Sequence, residues 1–251
     1  MQTIKKLYRK DYRGEDVITN RVYQNSKWNP TVEFVANGFS VDLNSTNAVV
    51  LGNGPTRLEF DCSRFLDYRI PPNTWRSKEN KVNFLTYGCN ALFRDYRPDF
   101  LIATGDTLLT EVANSGYCDS RVVYANNSPL VNLPGKFHLI PQNPQFNSGA
   151  IAAYLAAFDG HKKVYMLGFD GNDTPNYNYN VYNGTTGYPS TNSVIPEDFW
   201  VLSLKEVMSA YHETEFIRVA PTVSFRTPEA WKYCLNYRQI DFRQFASEVG
   251  L

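Results

Sequence analysis

Several short stretches of this chain carry side chains suited to gripping a phosphorylated ligand. The first is Gly52-Asn53-Gly54-Pro55-Thr56-Arg57, which follows the apolar run Asn47 to Leu51. A run of that length ending in glycines reads as a buried strand that turns tightly into a helix. Glycine lets an anion approach the backbone, and a helix start offers unpaired N–H groups at the positive end of its dipole. Pro55 suits a first helical position, where its missing donor is not needed. The pattern is not a common nucleotide signature: no Gly-Lys-Ser/Thr closes it, and Arg57 stands where a dinucleotide fingerprint needs a third glycine. A purely structural strand–helix turn is the alternative reading.

Further candidates stand at other expected strand ends. Asn90, in Tyr87-Gly88-Cys89-Asn90, carries an amide that both donates and accepts, which suits a base edge or a sugar hydroxyl; closing a turn is the equal alternative. Asp106, after Thr104-Gly105, reads first as a helix N-cap and second as a ligand for a hydroxyl or metal. Ser148 and Gly149 open an alanine-rich helix, with Ser148 as the expected cap and Gly149 admitting an anion to the exposed N–H groups. Asp170 closes the strand Val164 to Leu167 in Gly168-Phe169-Asp170. The histidines, His138, His161 and His212, read as structural.

These residues need a scaffold that brings them to one edge. Strands are expected near 47–51, 83–88, 99–104, 121–125, 136–140, 163–168 and 215–219, with helices near 55–66, 106–115, 147–159, 197–212 and 227–232. Such alternation predicts an α/β, Rossmann-like, mostly parallel sheet with helices on both faces, whose ligands bind at the carboxyl ends of the strands. Residues 1–45 read as an N-terminal β-hairpin extension, with Gln24-Asn25-Ser26 at its turn, and 46–251 as the Rossmann-like domain. Two stretches, 67–81 and 171–196, read as long loops, the second placed to close over a ligand.

Composition narrows the partners. Lysine plus arginine equal aspartate plus glutamate at 25 each, so no overall field draws nucleic acid or an anionic membrane. No apolar run is long enough to span a bilayer and no signal segment opens the chain, so a cytoplasmic location is expected. Cys62, Cys89, Cys118 and Cys234 are too far apart for a zinc or disulfide framework and read as free thiols. The 17 tyrosines suggest amphipathic contact surface, for a ligand, another protein or a second copy of the chain.

Taken together, Val49 to Arg57, Tyr87-Gly88-Cys89-Asn90, and Asn147-Ser148-Gly149 through Leu167-Gly168-Phe169-Asp170 resemble the sialyltransferases of glycosyltransferase family 42. A similar arrangement occurs in the archaeal-type 6-hydroxymethylpterin pyrophosphokinase and in bacteriophage proteins, and the whole chain is most similar to the phage-encoded group. The resemblance covers roughly 46–220. It implies a cytidine nucleotide held by Asn53, Gly54, Asn90, Ser148 and Asp170, within a candidate nucleotide site that also takes in Gly52, Asp106 and Gly149. It further implies a CMP-sugar donor, no required cofactor, and tyrosine hydroxyls that assist the departing phosphate. Tyr177, Tyr179 and Tyr182 are the candidates for that role. One departure stands out: the family's base histidine has no counterpart in Ser193 to Asp198, where Glu197 or Asp198 would have to replace it.

Two other readings remain open at this point. A pterin-type pyrophosphokinase would use magnesium, held by acids such as Asp106 and Asp170. A phage virion or accessory protein would keep the fold without the chemistry, with phage structural proteins as partners.

Overall fold

The computed structural model describes residues 8–11, 16–18, 21–24, 27–30, 47–70, 74–76, 82–126, 133, 136–140, 144–170, 180–188 and 197–251. In chain order the strands are β1 (Tyr8–Asp11), β2 (Asp16–Ile18), β3 (Arg21–Gln24), β4 (Lys27–Pro30), β5 (Asn47–Leu51), β6 (Asp67–Ile70), β7 (Thr74–Arg76), β8 (Leu85–Cys89), β9 (Tyr96–Arg97), β10 (Phe100–Ile102), β11 (Val122–Ala125), β12 (His138–Leu139), β13 (Lys163–Leu167), β14 (Glu215–Ala220) and β15 (Tyr237–Asp241). The helices are α1 (Asp106–Asn114), α2 (Ser148–Phe158), α3 (Glu197–Ala210) and α4 (Phe242–Val249).

The main sheet runs β15-β14-β13-β5-β8-β10-β11-β12, all parallel, and continues antiparallel through β1, β2, β3 and β4. β3 and β4 pair with Gln24 opposite Lys27, and Asn25 and Ser26 of the expected turn lie outside the described residues. Almost every residue of β5, β8, β13 and β14 is buried, as a parallel sheet covered on both sides requires. On one face Ala48, Val50, Tyr87 and Met166 pack under α2 and α3 with Trp231. On the other, Val49, Leu51, Leu101 and Tyr165 meet Leu109, Val112 and Phe245 of α1 and α4, together with Phe60 and Phe65. The alanines of α2 bring its backbone close to the sheet, so its N-terminus sits beside the carboxyl end of β8.

The structure departs from the sequence expectation in identifiable places. The stretch 55–66 forms two 3-10 turns, Pro55–Glu59 and Cys62–Arg64, because Phe60 is extended and packs its ring on Phe242 and Phe245, 5.6 and 5.3 Å away. Within 67–81, β6 and β7 join β9 in a small antiparallel sheet. The expected helix near 227–232 contracts to the 3-10 turn Glu229–Trp231, anchored by Trp231 Nε1 donating to Val201 O at 2.9 Å. The caps also differ. Gly105, not Asp106, is the N-cap of α1, and Asn147, not Ser148, caps α2 by accepting from Ala150 N–H at 2.9 Å. All four cysteines are free. Among the described residues no helix is long and apolar enough to cross a membrane.

The β15–α4 pair, absent from the sequence expectation, is tied down by one arginine. Arg238 donates from Nη1 and Nη2 to the two Glu248 oxygens at 2.9 and 2.7 Å and from Nε to Glu215 at 2.7 Å, while Tyr165 donates to Glu248 at 2.8 Å. Arg238 holds the Glu248 carboxyl down from 4.5 to about 2, with burial opposing. A depressed carboxylate stabilises the fold above its unfolded pKa, and the contribution disappears as pH falls from 4.5 toward 2. Glu248→Gln is therefore expected to destabilise by about 1 kcal/mol at neutral pH after solvent screening. Near pH 2 it should leave stability unchanged; denaturant melts at the two pH values measure both.

Candidate functional site

The chain departs from β5 toward β8 on one side of the sheet and returns on the other as β13, so the carboxyl ends of β5 and β13 form a switch point where α/β proteins open a crevice. There the two strand ends clasp. Gly52 N–H donates to Leu167 O at 2.8 Å and Gly54 N–H to Gly168 O at 2.9 Å. A Cβ on Gly52 would collide with the Gly168 carbonyl, and Gly168, at φ +72°, faces Gly52 O and Arg57 Cβ at 2.8 and 3.0 Å from where its own Cβ would be. Asp170 folds back across the turn, accepting from Thr56 N–H at 2.9 Å and from the Thr56 hydroxyl. Burial raises its carboxyl above the ordinary range, opposed by the Thr56 bonds and the Arg218 charge. Arg57 N–H in turn donates to Gly54 O at 3.2 Å. With the N–H groups of Gly52, Gly54, Thr56 and Arg57 bonded within the protein, the turn presents the Asn53 side chain in place of a bare backbone cradle.

Asn53 is 9 % exposed; its Nδ2 donates to Cys89 O at 3.2 Å. Its Oδ1 is buried without a hydrogen-bond partner among the described residues. Asn90, one residue beyond that carbonyl, has φ +50°, a conformation asparagine tolerates better than most residues. Its Oδ1 accepts from Thr104 N–H at 2.9 Å and its Nδ2 donates to Ser148 Oγ at 2.8 Å, so it ties together the ends of β8, β10 and the start of α2. Because Asn147 does the capping, the Ser148 hydroxyl is free to accept from Asn90. Asn147 keeps a buried Nδ2 without a partner among the described residues. Gly149 opens the same helix against the Phe169 ring.

Tyr188 completes the group. Its hydroxyl is buried and makes no hydrogen bond among the described residues. Burial pushes the phenol up to about 12 and the nearby Cys89 adds to this, while the amides of Asn90, Asn180 and Asn53 face the hydroxyl closely enough to oppose it. Buried polar groups are nearly always hydrogen-bonded. Here an acceptor on Asn53 and the Tyr188 hydroxyl lie beside Asn90, a set that a ligand with mixed donors and acceptors would satisfy.

Tyr188 is delivered by residues 180–188, the described part of the second long loop. Val181 N–H donates to Asn53 O at 2.8 Å, Tyr188 N–H to Thr185 O at 2.8 Å and Gly184 N–H to Tyr188 O at 2.7 Å. Tyr182 anchors this strap. Its ring has Arg57 and Arg94 guanidinium carbons each 5.7 Å from its centroid, and its hydroxyl donates to Asp95 at 2.6 Å while accepting from Arg57 Nη2 at 3.2 Å. Burial raises the Tyr182 pKa, with Arg57 opposing and Asp95 adding to the rise. Tyr182 is thus a buried tie whose hydroxyl is fully engaged. Tyr177 and Tyr179 lie outside the described residues, as do the side chains of Glu197 and Asp198.

Asp106 is exposed on the first turn of α1. His161 is buried near the opposite edge of the sheet, where Tyr87 donates to Asp159 at 2.7 Å and lies 3.0 Å from His161 Nε2. Among the described residues no three His, Cys, Asp or Glu side chains are grouped to hold a metal ion. The residues that sequence reasoning passed over are Tyr188, Asn147 and Arg94. Tyr188 lies in the long loop already singled out, and Asn147 in the Asn-Ser-Gly motif, one place before the expected cap. Arg94 carries no sequence signal of its own.

Neither a family profile nor a curated protein matches the chain. Among solved structures, it is similar to the monofunctional alpha-2,3-sialyltransferase Cst-I of Campylobacter jejuni, with 14 % identity over 71 % of this chain and 77 % of that one and a TM-score of 0.42. It is also similar to an asparagine-to-alanine variant of the sialyltransferase Cst-II in complex with CMP, with 14 % identity over 81 % of this chain and 98 % of that one and a TM-score of 0.44.

Proposed function

We propose that the chain is a nucleotide-sugar-dependent glycosyltransferase of sialyltransferase type, with a CMP-sugar as donor. The observation that carries this reading is the pair of buried polar atoms without a hydrogen-bond partner among the described residues beside Asn90 at the switch point: Asn53 Oδ1 and the Tyr188 hydroxyl. Neutral amides facing one another suit a nucleoside, whose base and ribose present both donors and acceptors. Tyr188, with its pKa near 12, stays protonated at neutral pH and so can donate to the phosphate oxygen on which negative charge develops as the bond to the sugar breaks. In this reading the acceptor hydroxyl attacks the anomeric carbon, CMP leaves, and Glu197 or Asp198 takes the acceptor's proton. The reaction so written requires no metal.

Titration with CMP, CDP, UDP, GDP and ATP tests the reading. CMP and CDP are expected to bind, and Asn53→Ala to weaken CMP by about tenfold or more, the scale of losing one buried hydrogen bond. Tyr188→Phe should weaken CMP and lower the rate of sugar transfer by more than the loss of CMP affinity accounts for. If no nucleotide binds, the proposal fails; binding of ATP alone, dependent on magnesium, would redirect it to pyrophosphoryl transfer.

A further inference from the structure

We infer that Arg94 is a positioning residue for this site: its guanidinium latches the 180–188 strap to the sheet edge and so sets Tyr188 and Asn180 against Asn53 and Asn90. The inference rests on the nucleotide-site reading for its consequence, but its structural content stands apart from it.

Arg94 closes the 3-10 turn Asn90–Arg94 that follows β8, four residues from Asn90. Its fork is held on one side by Glu111 of α1, with Nε donating to Oε1 at 2.8 Å and Nη2 to Oε2 at 2.5 Å. On the other side Nη1 donates to Thr185 Oγ1 at 2.6 Å and Nη2 to Thr186 O at 2.7 Å, and the plane lies over the Tyr182 ring. Glu111 holds the guanidinium from the side away from the strap, so the Thr185–Thr186 turn rests on donors that a second partner orients. A planar, charged fork engaged on several sides is the arrangement that lysine cannot reproduce.

Apolar packing alone would hold the strap weakly. Among the described residues its apolar cluster comprises Tyr182 with Ala91 and Leu108, with Val181 and Tyr188 packed against them. Thr185 and Thr186 sit on the turn that leads directly into Tyr188, and Thr185 also donates to Tyr182 O at 2.6 Å and accepts Tyr188 N–H at 2.8 Å. Release of Arg94 therefore frees the Thr185–Thr186 end of one small hydrogen-bonded unit, while Val181 and Tyr182 keep the other end on Asn53, Asp95 and Arg57, and the Tyr188 hydroxyl loses its fixed place beside Asn53 and Asn90. A site populated in its competent arrangement only part of the time binds more weakly by that fraction.

Hydrogen exchange of the unliganded protein tests the latch without reference to any nucleotide. In Arg94→Ala, the amides of Gly184, Thr185 and Tyr188 are expected to exchange at least about tenfold faster, with those of β13 unchanged, as local opening dictates. Arg94→Lys should behave like Arg94→Ala, and Thr185→Val, which removes both the acceptor for Arg94 Nη1 and the strap's own bond from Thr185 Oγ1 to Tyr182 O, should also exchange faster than wild type. Folded variants with wild-type exchange in the strap overturn the inference.

Coupling to the site is read from a double-mutant cycle on CMP affinity. Arg94→Ala is expected to weaken CMP by roughly tenfold in the wild-type background and by under about twofold once Asn53→Ala is present, because the two act on one arrangement. Full additivity would show that Arg94 acts elsewhere and would overturn the positioning role. If the wild-type protein binds no CMP, the functional reading fails while the exchange data still decide the latch.

Discussion

Gly168→Ala is expected to lower the melting temperature by roughly 6–12 °C and to abolish nucleotide binding. Alanine at φ +72° carries a left-handed strain of about 1 kcal/mol. Its Cβ would also lie 2.8 Å from Gly52 O and 3.0 Å from Arg57 Cβ. Neither neighbour can yield cheaply. Gly52 is fixed by its bond to Leu167 O, and Arg57 is 1 % exposed, wedged between the rings of Tyr96 and Tyr182. Overpacking of this kind costs about 1–3 kcal/mol, which brings the total to about 3 kcal/mol, and a domain of this size loses about 2–4 °C for each. Gly52→Ala should act similarly through the same contact from the other side. Calorimetry of the two variants decides the matter, and melting within 2 °C of wild type, to give about the smallest shift worth reading, would refute the clasp.

The second large effect is expected at Asn90, where two substitutions separate backbone strain from lost bonds. Asn90→Ala removes the acceptor for Thr104 N–H and the donor to Ser148 and leaves a methyl side chain at φ +50°. Asn90→Gly removes the same bonds but suits that φ. Both should lose CMP affinity by about a hundredfold, the scale of two hydrogen bonds lost at a buried site. In denaturant melts the alanine variant should be less stable than the glycine variant by about 1 kcal/mol, in spite of glycine's greater freedom when unfolded. Equal stability would mean the backbone is not held at that angle by its surroundings. Unchanged CMP affinity would remove Asn90 from the site.

The Asn47–Leu51 and Val164–Leu167 runs announced buried strands because a parallel sheet covered on both faces leaves its strands continuously apolar. Asn53, Asn90, Ser148 and Asp170 were legible as strand-end or helix-start residues, and the topology does gather them at one edge. Their partners were not. Nothing local says that Asn147 takes the cap and leaves Ser148 for Asn90, or that Asp170 turns back onto Thr56, since each choice depends on a contact across the sheet. Tyr188 was hidden among many loop tyrosines, and only the docking of the strap distinguishes it from Tyr182, whose hydroxyl is engaged by Asp95 and Arg57. β15 escaped notice because Arg238 and Gln239 interrupt its apolar pattern, and they do so in order to bind α4 and the chain around Phe225.

The clasp between the β5 and β13 ends also constrains how the molecule comes to exist. Thr56 and Asp170 meet across 114 residues, and the parallel pairing of β5 with β13 likewise waits for everything between them. Non-local parallel pairings of this kind close slowly, because the loop entropy is lost before the contacts are made. During synthesis, a nascent chain truncated before Lys163 holds the Gly-Asn-Gly turn, Asn90 and the start of α2 yet lacks the strand that brings them to one edge. The site is then a late product of folding, and ribosome-bound fragments, however helical, would have no ligand affinity to protect them.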